Sequence, residues 1–185
     1  MDIDIREEIK DVSHAVGRRT GLIKRPGVMR RLLTGMAAGA AGTSALNLVT
    51  YLDMALRARP ASETPAEAVR KIEDKAGIGA LADEGRSSEQ ESNRRQAFGA
   101  LMGFVTGLGI GALYGVLRPA LRSVPVGLAG AGAGLAAMAG SDVPTSLLGA
   151  TSPREWSPSD WVADLVPHLA YGFTTAVVFD AFSGM

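Results

Sequence analysis

Cysteine is absent from the 185-residue chain, which removes disulfides, thiolate metal sites and cysteine nucleophiles together. Aromatic residues make up only 5% of a chain that is 46% hydrophobic, so its apolar character rests on Ala, Gly, Leu and Val. No sign of charge is in excess. Lys and Arg number 19 against 19 Asp and Glu, for a net charge of +0, and this excludes the basic field that nucleic-acid binding requires. Histidine is scarce as well. With His14 remote from His168, the ligands for a metal centre are lacking, and neither a metal nor a cofactor is expected. Serine-hydrolase elbows, phosphate loops and dinucleotide fingerprints are missing too, so the chain reads as a non-enzyme with no catalytic residue.

Charge is also missing locally. No Asp, Glu, Lys or Arg occurs from Leu32 to Leu52, from Ala97 to Leu117, from Ser123 to Ser141, or from Leu165 to Phe179. The mean hydropathy of +0.14 averages these runs with charged text at 1–31 and 57–96 and so conceals them. A bilayer core about 30 Å thick needs roughly 20 helical residues. The runs therefore predict an all-α integral membrane bundle of four transmembrane helices, with spans at about 28–56, 97–118, 124–143 and 158–183, and short amphipathic surface helices. The first run follows Arg30 and Arg31, too late for an ordinary signal peptide, and reads as an uncleaved span.

Two domains are expected: an amphipathic N-terminal segment over 1–27 and a transmembrane domain over 28–185 that carries a polar helical insert at 57–96. In the N-terminal segment Ile5, Ile9, Val12 and Val16 recur at helical spacing. In the insert, Thr64-Pro65-Ala66-Glu67 reads as a capped helix start, with Val69, Ile72 and Ala76 as a stripe against the bilayer interface. Ser87 and Gln90 predict a second start that runs straight into span two. Pro144 should stop or kink span three. Ser157-Pro158-Ser159-Asp160 caps span four, with Trp156 and Trp161 as interfacial anchors.

Glycine is plentiful where charge is not. Gly99, Gly103, Gly107, Gly111 and Gly115 recur every fourth residue of span two, with Gly35 and Gly39 in span one and Gly130 and Gly134 in span three. Each costs about 1 kcal/mol relative to alanine in a helix interior. Because lipid supplies no hydrophobic drive for helix association, close backbone approach is the return expected for them.

Polar residues inside the runs mark the other candidate positions. Antiparallel threading brings Asn47 and Tyr51 of span one, Asp142 of span three, and Asp164 and His168 of span four towards one membrane face. Asp164 and His168 are four apart and share a helix face, and His168 lies roughly 10 Å beyond Trp161. Ionisable groups at that depth are costly and suit a proton relay, or else form a structural hydrogen bond.

The Gly-rich first span, the laddered second span and the fourth span reading Asp-Leu-Val-Pro-His-Leu-Ala-Tyr-Gly resemble small bacterial inner-membrane proteins of the YagU-like group, actinobacterial in type by the excess of Arg over Lys and the Ala/Gly bias. The resemblance implies a four-span fold and a link to acid tolerance in some members, and it carries over no site residue. The leading expectation is a structural or accessory protein of the cell membrane, packing through glycine-lined faces in stress or envelope maintenance. Its partners would be the lipid bilayer and a homo-oligomer or larger membrane complex. The alternative is a small proton-coupled transporter or channel using Asp164 and His168. Lys and Arg close to the membrane favour cytoplasmic N- and C-termini.

Overall fold

The computed structural model describes residues 27–77 and 87–183. The amphipathic segment expected over 1–27 lies outside them except for Gly27. Five helices follow in order: α1 (Val28–Arg57), α2 (Thr64–Ala76), α3 (Ser88–Leu117), α4 (Val126–Leu148) and, after a 3₁₀ turn at Pro153–Glu155, α5 (Pro158–Ser183). No strand occurs among the described residues.

Four of these, α1, α3, α4 and α5, are long and apolar enough to cross a membrane. Their outward faces are apolar: Leu33, Leu48, Leu101, Val105, Leu128, Leu147, Val177 and Phe182 are each more than half exposed. A water-soluble bundle hides such side chains and presents charge, so this surface suits lipid and is compatible with a membrane protein. At ~1.5 Å per residue, the 30-residue α1 and α3 exceed a bilayer core of about 30 Å and project beyond it.

The spans are arranged in the cyclic order α3, α1, α5, α4. α1 packs along both α3 and α5, α5 packs along α4, and a thinner α3–α4 contact closes the ring. Small residues make these approaches. A Cβ built at Gly35 or Gly39 would overlap the Gly111 or Gly107 carbonyl of α3, and one at Gly111 would overlap Gly35 in return. Gly115 faces the Arg31 carbonyl and Phe179, Gly107 faces Thr43 and Tyr171, and Gly99 faces Pro65 of α2. On the other side, Gly130 and Gly134 of α4 press on the Gly172 and His168 carbonyls of α5. Gly103 meets nothing within 4 Å, so the four-residue period outruns the contact it serves.

Larger side chains fill what remains. Ala38, Tyr114, Ala129, Ala133, Ala176 and Phe179 form the buried cluster, in which Tyr114 and Phe179 meet edge-to-face with ring centroids 5.6 Å apart.

Two local expectations are corrected, the stop at Pro144 and the cap at Thr64. α4 runs through Pro144 to Leu148. The hydroxyls of Ser141 and Thr145 bond back to the Met138 and Ser141 carbonyls at 2.9 Å on either side of the proline. At the start of α2 the cap residue is Glu63, not Thr64, and it is the Ser62 hydroxyl that accepts the Thr64 N–H, at 3.3 Å. The expected stripe of α2 is divided between a buried and an exposed side. Ala68, Val69 and Glu73 are its buried residues, while Ile72 is 37% exposed and Ala76 is exposed. Arg95 of α3 donates to buried Glu73 at 2.8 Å, which holds the insert helix on the extension of α3.

The capping expectations for α3 and α5 appear in the structure. Ser87 and Gln90 exchange both bonds of a capping box. Ser157 and Asp160 do the same, with Ser157 N–H to the Asp160 carboxylate at 2.9 Å. Gly77 and Gly149, both at positive φ, end α2 and α4, where a side chain would be strained.

Candidate functional site

Close approach of α4 and α5 places the polar cluster. Because Gly134 lets α4 rest against the His168 backbone, Ser141 and Asp142, two turns further along α4, come level with the polar side chains of α5. α5 is held in register at its start by the Ser157–Asp160 cap and by Trp156, which packs on Trp161 at 5.0 Å and donates its indole N–H to the Thr151 hydroxyl at 3.0 Å.

His168 Nδ1 lies 2.8 Å from the Asp164 carbonyl oxygen. A carbonyl only accepts, so this nitrogen carries the proton, and in the neutral ring Nε2 is left as an acceptor. Nε2 faces the Ser141 hydroxyl at 3.5 Å. Asp164 Oδ1 is 3.4 Å from His168 Nδ1, while Asp164 Oδ2 is sealed from solvent with no hydrogen-bond partner among the described residues. The Asp142 carboxyl faces Asp164 across the interface, and Ser141 Oγ lies 3.3 Å from Asp142 Oδ1. Two carboxyls, an imidazole and a hydroxyl are thereby collected between two helices, each of which contains a proline.

The structure does not bring the span-one candidates to this cluster. Asn47 is exposed and Tyr51 is 64% exposed, both on the outward side of α1. Tight α1–α3 and α1–α5 contacts through Gly35, Gly39 and Gly42 fix the rotation of α1, and that rotation points the Asn47 stripe away from the bundle. Asp53 is taken up by Arg57 and Arg59 at 2.6 Å and 2.5 Å. Among the described residues no group of three or more His, Cys, Asp or Glu side chains is placed to hold a metal ion.

Comparison with protein-family models, curated proteins and solved structures yields no match. The geometry alone therefore bears on function.

Two buried polar features escaped the sequence reading. Tyr171, 1% exposed, donates to the Gly107 carbonyl at 2.7 Å. Arg118, directly after α3, forms a two-point ion pair with Asp180 at 3.0 Å and 2.8 Å, and its Nη1 donates to the Leu121 and Val124 carbonyls. The only sequence signal for the pair is that each residue bounds an uncharged run.

Proposed function

We propose that this multi-pass membrane protein binds and passes protons at the α4–α5 interface, as a small proton-coupled transporter whose working groups are Asp142, Asp164 and His168. The observation that carries the reading is Asp164, set between a second carboxyl and an imidazole, with one of its oxygens sealed and unpartnered. Ionisable groups within a span are expensive, and packing alone is served more cheaply by apolar residues. Two facing carboxylates repel one another, and a shared proton removes the repulsion. His168, with Nε2 turned towards Ser141, supplies a second station for that proton. Pro144 and Pro167 lack the N–H groups that would bond to the Gly140 and Ala163 carbonyls, which weakens both helices beside the cluster.

The test is proton flux into liposomes loaded with a pH-sensitive dye and containing the full-length chain. A pH gradient should drive uptake in the wild type and not in H168A or D164N, with all three eluting alike in detergent gel filtration. Flux that survives both substitutions rejects the reading.

The structural or accessory reading is favoured by a different observation, the outward Asn47 and Tyr51 of α1 beside exposed Leu48. Side chains that hydrogen-bond have no partner in lipid and suit a neighbouring span, as in an envelope-maintenance complex. An N47L chain that keeps the wild-type assembly size in mild detergent counts against it.

A further inference from the structure

The two ends of the bundle differ in how their charges are matched. At the α2 end carboxylates interleave with guanidiniums: Asp53 with Arg57 and Arg59, Glu67 with Arg70, Glu73 with Arg95. At the end where α1 begins and α5 finishes, the described residues carry Arg30, Arg31, Arg118 and Arg122 against a single carboxylate, Asp180. Arg118 takes both oxygens of that carboxylate. The first turn of α1 has no acidic residue, and no side chain caps it.

Arg31 is the telling member of this group. Its Nε is sealed from solvent and has no hydrogen-bond acceptor among the described residues. Arg31 also lines a shallow cleft together with Arg30, Thr34, Phe179 and Ser183. A buried guanidinium N–H without an acceptor is costly, and the one carboxylate that the described residues place at this end, Asp180, is taken by Arg118.

We infer that this cleft binds the phosphate of an anionic lipid headgroup. A phosphate presents several oxygens in the geometry that a guanidinium donates to, and neighbouring Arg30 adds a second cation. The Thr34 hydroxyl is a further donor. The cleft sits where an apolar span meets the first charged residues, which is the level of the headgroups in a bilayer. The excess of guanidinium at this end disfavours a headgroup that carries its own cation, so phosphatidylglycerol is preferred over phosphatidylcholine.

Native mass spectrometry of the full-length chain in detergent, titrated with each of these two lipids, tests the site. Phosphatidylglycerol should bind about tenfold more tightly than phosphatidylcholine, and R31Q should weaken it by about tenfold. R30Q changes an exposed side chain, leaves the fold intact and should weaken phosphatidylglycerol several-fold, whereas R154Q at the opposite end should not. Equal binding of the two lipids overturns the inference. Wild-type affinity in R30Q does so too, even where R31Q cannot be purified. Displacement of phosphatidylglycerol by millimolar inorganic phosphate would assign the cleft to a free anion and overturn the lipid assignment.

Discussion

The phenol of Tyr171 on α5 donates a 2.7 Å hydrogen bond to the backbone carbonyl of Gly107 on α3, helices that otherwise barely touch. Thr43 of α1 and Gly107 meet at the same point, so three spans are pinned at one buried position. Y171F keeps the ring and deletes only the donor. Its cost should be about 1 kcal/mol, read as a lower midpoint of unfolding in mixed detergent micelles. A midpoint equal to the wild type would show that this bond contributes nothing net.

Glycines four residues apart on α3 differ sharply in what they face. Gly111 lies against the Gly35 and Gly39 backbone, whereas Gly103 has open space. G111L should therefore abolish the native species on detergent gel filtration, and G107L should do the same. G103L should elute and melt like the wild type, within ~0.5 kcal/mol. Equal damage from G103L and G111L would mean that the whole ladder is in contact.

Arg118 and Asp180, with side chains only 7% and 14% exposed, form an ion pair that joins the end of α3 to the end of α5. D180N leaves a buried guanidinium without its counter-ion and should cost about 3 kcal/mol, whereas R118M/D180L should recover part of the loss. Thermal melting in detergent reads both. A double variant worse than D180N would show that the Arg118 bonds to the Leu121 and Val124 carbonyls outweigh the pair.

The insert helix should be sensitive to acid. The Arg70 guanidinium bonded to Glu67 holds its carboxyl below the ordinary 4.5. Protons then bind the unfolded segment more readily than the folded one, so the pair's contribution is complete above that ordinary value and is lost as pH falls through the lower folded one. The effect is small because both side chains are partly exposed. Amide exchange in α2, compared between pH 6 and pH 3 and corrected for intrinsic rates, should rise in the wild type and not in E67Q.

Which residues share a helix was legible from the order of charged and uncharged text, and the capped starts at Ser87 and Ser157 were legible from local spacing. The polar cluster was legible in part. Asp164 and His168 declare themselves by a four-residue interval on one helix, and Asp142 by closing an uncharged run. Ser141 did not stand out, because its role depends on how closely α4 approaches α5.

The sequence alone determined four helices that water cannot accommodate, since length and lack of charge are properties of a segment by itself. Only the tertiary structure decided which way each helix is turned. Rotation about a helix axis is set by which glycine backbones interlock with a neighbour, and a period repeated along one strand of text names the candidates without naming their partners. That is why Asn47 and Tyr51 face outward, why Gly103 is idle, and why Arg118 finds Asp180, 62 residues away.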